Sequence, residues 1–429
     1  MDTIMLKPSY YDSFSCLGDK CKFTCCQVWD IYLTKNEYTH IKNLRKPKEL
    51  EELTSKTFYR IKKGETKKKY AFVKFDENKL CPLLTKGKFC SLQLSCGHKS
   101  LPYTCRAFPR CTTINSIKDN MSEQHLSLGC EAVLKIIMKL QGGITFESYD
   151  KNYSNMDLDH INHLITSSHA ETRPVFNYAW DIKTLGCDIL QNRRFSLEDR
   201  MLLMGMAFQS IDKLEKSKNE NEIPAFLNKF STMMEDSSLL KSFENIQGNS
   251  YFKSMNAIAF LDFLNIKQNM TKFINDIFNN LGIIKNKENV TGEKPEVDTD
   301  EFIIKFEKEL SFDESKYMEA SKRFDEFFKG RKYIWENIMV TYFFYNNQPF
   351  FNKDKSIWQN FIFFANIYNL LKFSIMGYLT DESTDDDFIY ATTLCSRTLT
   401  HSQFLFDIVV NKFEENESDT LAHMAILIK

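Results

Sequence analysis

The segment F-S-C-L-G-D-K-C-K-F-T-C-C, residues 14–26, places four cysteines close together near the start of the chain. Nine of the twelve cysteines precede residue 112. Thiolates are soft ligands, and crowded thiols are what a zinc site or an iron–sulfur cluster needs. Short gaps between cysteines let a tight turn direct neighbouring sulfurs at one ion. The sequence therefore predicts a metal-binding amino-terminal region.

Three further blocks, C-P-L-L, K-F-C-S-L-Q and Y-T-C-R-A-F-P-R, continue this pattern. The cysteines in recognisable blocks are Cys16, Cys21, Cys25, Cys26, Cys81, Cys90 and Cys105. Together with the less regular cysteines, eight or more thiols exceed one tetrahedral site. They could build two zinc sites, one [4Fe–4S] cluster with spare ligands, or a cluster plus a zinc. The alternative is a set of buried, inert thiols. The C-x3-C-x2-C triad of radical S-adenosylmethionine enzymes is absent, because Val28 stands at the third position.

Composition favours a mainly α protein whose Cys-rich, metal-binding amino-terminal region contains short β-hairpins. The 429 residues include 37 Phe but only 14 Gly and 9 Pro, which is typical of helix-rich chains. A chain of this length suggests two or three domains. A net charge of −1 gives no electrostatic case for nucleic acid or an anionic membrane as partner.

The sequence shows no export signal that we recognise, and we therefore expect a cytoplasmic protein. The start, M-D-T-I-M-L-K-P, lacks the apolar core of a signal peptide. The most apolar stretch, residues 358–379, contains Lys372 and several amides, which argues against a membrane span. Thiols stay reduced in the cytosol, so clustered cysteines there indicate metal ligands more readily than disulfides.

The pattern along the chain predicts two domains, a Cys-rich domain over 1–135 and a helical domain over 136–429 with a possible internal loop at 283–300. One hairpin-like unit joins alternating Tyr70–Asp76 to a turn at Lys86–Lys88, and a second places Asp119–Asn120 between residues 112–117 and 121–128. A helical stripe starts near residue 131, and Ser196 is predicted to cap a helix. Further helices are predicted at 180–190, 248–282, 301–310, 313–329, 332–345, 357–379, 387–413 and 420–428.

The blocks Phe14–Trp29, Cys81–Gln93 and Thr104–Arg110 resemble a cysteine-cluster family described as zinc- or iron-chelating. More narrowly, the sequence resembles flagellin lysine-N-methylases of the FliB type. Similar segments continue at Asp188–Arg200, Trp335–Phe350 and Ser396–His401, followed by D-T-L-A-H-M-A at residues 419–425. One departure is Leu128-Gly129-Cys130-Glu131, which lacks a proline between cysteine and glutamate.

This resemblance implies N-methylation of flagellin lysines, with S-adenosylmethionine as methyl donor and an iron–sulfur cluster as cofactor. It implies eight metal ligands: Cys16, Cys21, Cys25, Cys26, Cys81, Cys90, Cys105 and Cys130. From the residues themselves, Arg106 and Arg110 are candidates to bind the cofactor, since they lie beside a ligand and have donors for its sulfurs. No G-x-G-x-x-G motif follows a strand, so an ordinary Rossmann methyltransferase core is not visible.

The catalytic residues stay unassigned. Methyl transfer to lysine needs a neutral amine, hence a base or a desolvated pocket. His98 and Tyr103 lie near the cysteines, and Arg397 and His401 lie one turn apart on a predicted helix, but each is more often structural. The competing hypothesis is a metal-stabilised binding module that holds a client protein without catalysis. A donor site would distinguish an enzyme from such a holder.

Overall fold

The computed structural model describes residues 2–27, 30–115, 121–152, 163–236, 243–268, 270–285, 310–311, 313–399 and 403–429. The protein is 59% helical, with short strands concentrated in its amino-terminal part. The predicted mainly α class is therefore confirmed. The chain forms two compact units, one of Met1–Ile137 with Thr145–Leu164, and one of Met138–Ile144 with Ile165–Lys429.

A five-stranded sheet organises the first unit. The strands up to residue 165 are β1 Asp2–Pro8, β2 Tyr32–Leu33, β3 Phe58–Arg60, β4 Ala71–Val73, β5 Arg110–Asn115, β6 Met121–Leu126, β7 Phe146–Asn152 and β8 His163–Ile165. The large sheet has the order β7-β1-β6-β5-β8. Met5 of β1 lies opposite Tyr149 in an antiparallel pair and opposite Ser122 in a parallel one. The hairpin predicted near residue 115 is confirmed as β5–β6, while its proposed turn Asp119–Asn120 lies outside the described residues.

A smaller sheet and short helices complete the first unit, and most of its cysteines lie in the loops between these elements. The helices are α1 Lys35–Asn43, α2 Lys48–Thr57, α3 Ser91–Cys96, α4 Tyr103–Ala107 and α5 Glu131–Ile137. The sheet order is β2-β4-β3. The strand predicted at Tyr70–Asp76 thus exists as β4, but it pairs with β2 and β3 rather than with residues 84–89. The turn at Lys86–Lys88 is confirmed, since Leu84 and Cys90 form an antiparallel bridge across it.

The second unit is a helical assembly. Its helices are α6 Ser167–Thr172, α7 Ala179–Gln191, α8 Leu197–Lys216, α9 Ile223–Met233, α10 Ser250–Gln268, α11 Thr271–Asn280, α12 Glu314–Phe327, α13 Tyr333–Tyr345, α14 Ile357–Tyr378, α15 Asp385–Leu399, α16 Gln403–Glu415 and α17 Leu421–Ile428. Short 3-10 helices lie at Tyr11–Ser13, Gly18–Lys20, His98–Ser100, Pro174–Tyr178 and Glu220–Glu222, and β9 Ile284–Lys285 pairs with β10 Leu310–Ser311.

Helix α14 forms the centre of the second unit because nearly all of its faces are buried, as expected for a helix inside a core. Its start is fixed by a capping box between Ser356 and Gln359. The cap predicted at Ser196 is also confirmed, since its hydroxyl accepts the backbone N–H of Asp199 at 3.1 Å. Among the described helices, none combines the length and the apolarity that crossing a bilayer requires.

Several predictions for residues beyond 131 differ from the structure. The helix that begins there ends at Ile137, and β7 follows where helix was expected, because residues 146–152 pair along the whole of β1. Leu310, predicted to end a helix, lies in β10. Residues 301–309, most of the predicted loop 283–300, and His401 lie outside the described residues.

Candidate metal centre

Four of the predicted ligands, Cys25, Cys81, Cys90 and Cys105, share one neighbourhood in the first unit. Burial raises the pKa of the Cys105 thiol well above its usual value, and the charges of the other three would raise it further. The Cys81 thiol has its pKa raised to about 11, first by burial, with smaller contributions from Cys90 and Cys25. Ionisation of one thiol in this group would therefore raise the pKa of its neighbours, which places the thiols close to one another. We refer to these residues as the four-cysteine group.

The backbone holds the blocks of this group together. Cys81 N–H donates to the carbonyl of Cys26 at 2.9 Å, which ties the second cysteine block to the first. Cys81, Cys90 and Cys105 also pack against the hydrophobic core that includes Leu33 and Leu92. The sulfurs are thus positioned by the packing of three separate chain segments.

Backbone amides point at two of the sulfurs. The N–H of Leu83 bonds to the Cys81 thiol, and those of Leu92 and Gln93 bond to the Cys90 thiol, and each such bond lowers the thiol pKa against the larger effect of burial. N–H donors stabilise a thiolate, the form in which cysteine binds metal. The backbone N–H groups that follow Cys81 and Cys90 therefore favour the thiolate form of these two side chains, which is the form that binds a metal.

The donor set fits a thiophilic metal, although the side chains do not stand in a coordination geometry. Among the described residues, no group of three or more His, Cys, Asp and Glu side chains is arranged to hold a metal ion. All twelve cysteines are free thiols. Four half-buried thiols, two of them with N–H donors, are the ligand type of zinc-Cys₄ and of iron–sulfur sites.

A second arrangement surrounds Glu131 at the start of α5. Its carboxylate is 2% exposed and accepts the backbone N–H groups of Lys22 at 2.7 Å and Phe23 at 3.1 Å. The Cys21 thiol donates to the same oxygen at 3.4 Å, and Lys135 pairs with the other at 2.7 Å. Burial opposes ionisation of Glu131, but these hydrogen bonds keep its pKa below the ordinary value. Glu131 therefore fixes the backbone of the first cysteine loop, residues 16–26, at Lys22 and Phe23.

Cys21 and Cys130 belong to this second arrangement. The pKa of Cys21 rises to about 12, first through burial and then through the Glu131 charge, with smaller contributions from Cys130 and Cys25. Cys25 thus influences both groups. Of the other two predicted ligands, Cys16 is exposed and its sulfur accepts the Gly18 N–H at 3.5 Å, while Cys26 is half-buried.

Sequence reasoning missed the role of Glu131, which it noted only as the residue after Cys130. The carboxylate meets Cys21 and Lys22 across more than a hundred residues, so no local pattern indicates the contact. The available signal was an acidic side chain in the first turn of a helix directly after a cysteine. Such a side chain is well placed to accept nearby backbone N–H groups.

The two arginines predicted to bind the cofactor lie on aromatic rings. The Arg106 guanidinium is 5.6 Å from the centre of the Tyr103 ring, and that of Arg110 is 4.8 Å from the centre of the Phe14 ring. Arg110 is exposed and Arg106 is half-buried. Their proposed contacts with cluster sulfurs stay predictions.

The residues considered for catalysis differ in their exposure to solvent. His98 is exposed, while the backbone N–H of Tyr103 donates to the Glu37 carboxylate at 2.5 Å. Arg397 is buried in α15. The cysteines outside the predicted ligands behave as core residues, since Cys111, Cys187 and Cys395 are buried and Cys96 packs against the core of the first unit.

Comparison with known proteins points to one family. The family model of the FliB lysine N-methylase C-terminal domain matches residues 184–427. The flagellar biosynthetic protein FliU of Salmonella muenchen is 30% identical over 141 residues, which cover 31% of this chain and 75% of that protein. The lysine-N-methylase of Salmonella typhimurium is also 30% identical over 141 residues, a match spanning 32% of its length. No solved structure matches the chain.

Proposed function

Since the chain belongs to the FliB lysine N-methylase family and is accordingly a protein-lysine N-methyltransferase, we propose that its substrate is flagellin. We further propose S-adenosylmethionine as the methyl donor and a cysteine-ligated [4Fe–4S] cluster as cofactor, with zinc as the alternative. The observation that carries this proposal is the family match over residues 184–427.

The flagellin substrate is supported by the name of one relative, a flagellar biosynthetic protein. Flagellin presents surface lysines, whose amines have an ordinary pKa of about 10.4 and must lose a proton before they react. In the transfer, the amine lone pair forms a bond to the methyl carbon, and the carbon–sulfur bond of the donor breaks. The leaving group is the neutral thioether S-adenosylhomocysteine, and the proton passes to a base or to solvent.

The four-cysteine group is the proposed cluster ligand set. Its support is the shared neighbourhood of Cys25, Cys81, Cys90 and Cys105 and the N–H donors at two of the sulfurs. A bound cluster would supply electron-transfer capacity and would couple its binding energy to folding of the first unit. The free state of all twelve cysteines suits the cytoplasm, which we propose as the compartment.

The proposal is tested by co-expressing the chain with flagellin under low oxygen and weighing the flagellin by mass spectrometry. We expect methyl increments on lysine with the wild-type chain. Cys105→Ser should remove the metal and the methylation together, because the charges of the other three cysteines of the four-cysteine group all act on the Cys105 thiol.

Cys96→Ser is the matched control, because Cys96 packs on the same core without belonging to the four-cysteine group. It should retain both metal and activity. Flagellin that co-purifies with the chain but carries no methyl group would favour the binding-module hypothesis. Methylation that survives in metal-free Cys105→Ser would contradict the cofactor part alone.

A further inference from the structure

The β2-β4-β3 sheet of the first unit has one buried face and one face that reaches solvent. Leu33 and Ala71 lie on the buried face. On the other face Tyr32, Phe72 and Tyr59 form a row across the three strands, because Phe72 lies opposite Tyr32 in one antiparallel pair and opposite Tyr59 in the other. Tyr59 is 39% exposed, and the other two rings are half-buried. We call these three residues the aromatic row.

A lysine side chain lies over each end of the aromatic row. Lys69 Nζ is 4.8 Å from the centre of the Tyr32 ring, and Lys74 Nζ is 5.1 Å from the centre of the Tyr59 ring. The face of an aromatic ring attracts an ammonium group, so the rings restrict the movement of two side chains that are otherwise exposed. Because neighbouring strands lie ~4.8 Å apart, the two rings are separated by roughly 10 Å.

These two cations lie in a strongly basic segment. Residues 56–74 contain eight Lys and Arg against one acidic residue, Glu65, which pairs with Arg60 at 3.4 Å. Within the described chain, neither Lys69 nor Lys74 forms an ion pair. A second carboxylate, that of Asp30, lies near one end of the aromatic row. This face therefore has a local excess of positive charge, although the net charge of the whole chain is −1.

We propose that this face binds an acidic segment of the protein that the enzyme methylates. The inference rests on protein-lysine methylation but not on the choice of flagellin as substrate. Carboxylates complement the ammonium groups in charge. Since the rings already hold Lys69 and Lys74 in place, these side chains need little further ordering when a partner binds. An extended acidic segment that crosses the three strands would meet both ammonium groups.

The positions of the two lysines favour an acidic protein segment over a nucleic acid. Single strands bind such surfaces by stacking their bases on open aromatic faces. Here Lys69 and Lys74 lie over the two outer rings, so among the three rings of the row Phe72 alone has no cation over it. The face thus presents ammonium groups to a partner where base stacking would require free rings.

The test uses fluorescence anisotropy to follow binding of a fluorescein-labelled peptide in which Glu alternates with Ser. We expect the double variant Lys69→Met and Lys74→Met to weaken binding about 5- to 30-fold, as for loss of two partly exposed charge contacts. The double variant Tyr32→Leu and Tyr59→Leu keeps both lysines but should weaken binding about 3- to 10-fold, because the ammonium groups are no longer restrained. Phe at both tyrosine positions keeps the rings and should restore wild-type binding.

The matched control is the double variant Lys67→Met and Lys68→Met, which removes the same charge from exposed positions in the same loop. It should weaken binding less than about threefold, because salt screens charges that make no direct contact. Equal weakening by the two lysine pairs would show a general charge effect and overturn the inference. Unchanged binding in the Leu variant, or no binding by the wild type, would also overturn it.

Two further probes decide between classes of partner. Stronger binding of an oligothymidine of equal charge, or of vesicles that contain phosphatidylserine, would overturn the inference in favour of a nucleic acid or a membrane. The proposed function fails separately, if the wild-type chain supplied with S-adenosylmethionine leaves flagellin unmethylated. The peptide titration decides the inference in either case, because it requires no turnover.

Discussion

Replacing Glu336 by glutamine should strongly destabilise the second unit. Glu336 of α13 is 3% exposed and receives two guanidinium groups. Arg200 Nη1 lies 2.7 Å from Oε2, and Arg193 bonds the carboxylate through Nε at 2.9 Å and Nη2 at 2.8 Å. The Arg200 side chain is 8% exposed, so removal of the carboxylate charge leaves a buried guanidinium without its anion.

The magnitude follows from the difference between the two arginines. Arg193 is 44% exposed, so water can replace its lost bonds at little cost. Arg200 keeps its bonds to the carbonyls of Leu190 and Phe195 but loses its counter-charge. Breaking a buried ion pair from one side costs about 3–5 kcal/mol. For a unit of this size the loss corresponds to a fall in Tm of roughly 6–20 °C.

Urea unfolding followed by far-ultraviolet circular dichroism measures this loss. Glu326→Gln is the control, because its ion pair with Lys329 is exposed on both sides and should contribute less than about 1 kcal/mol. The reasoning is refuted if Glu336→Gln unfolds within about 1 kcal/mol of the wild type with an unchanged m-value.

Three further predictions concern the second unit. Burial opposes ionisation of Glu198, but the Lys372 charge lowers its pKa to about 2. The ionised carboxylate therefore stabilises the folded state above its ordinary pKa of 4.5, and this stabilisation is lost as pH falls from 4.5 towards 2. In Glu198→Gln we expect Tm to fall less steeply over this acid range than in the wild type. Gly143→Ala should destabilise by about 1–3 kcal/mol, because φ is +88° and the new Cβ would lie 2.8 Å from a side-chain oxygen, whereas Gly142→Ala, with open space around it, should change Tm little. Lys253→Met should raise Tm at pH 7, and the gap should narrow as pH rises from 8 to about 10, since the folded state releases the Lys253 proton first. A lower Tm for this variant at pH 7 would contradict the lowered pKa that burial gives Lys253.

Local signals in the sequence were sufficient for much of the fold. The cap at Ser196 could be predicted because its partner, Asp199, is three residues away. The β5–β6 hairpin was predicted from the turn-forming pair Asp119–Asn120 between two flanking segments, and the antiparallel pairing of Arg110–Asn115 with Met121–Leu126 confirms it. The residues F-E-S-Y-D-K-N of β7 gave no such signal, since they are mostly polar and become a strand only by pairing with β1 more than a hundred residues earlier.

The candidate site was predictable in composition but not in arrangement. The spacing of the cysteines predicts a metal-binding region, and Cys25, Cys81, Cys90 and Cys105 share a neighbourhood. Which thiols approach one another depends on how three chain segments pack on a common core, and the sequence does not encode this in any short window. The contact between Glu131 and the first cysteine loop depends on the same packing.

The central claim is that this chain transfers methyl groups from S-adenosylmethionine to flagellin lysines. The most direct measurement incubates the purified chain, prepared without oxygen, with purified flagellin and S-adenosylmethionine that carries a deuterated methyl group. Peptide mass spectrometry should then find deuterated methyl groups on flagellin lysines, and their number should grow with time. Flagellin that gains no labelled methyl group from a folded, metal-loaded chain would contradict the account.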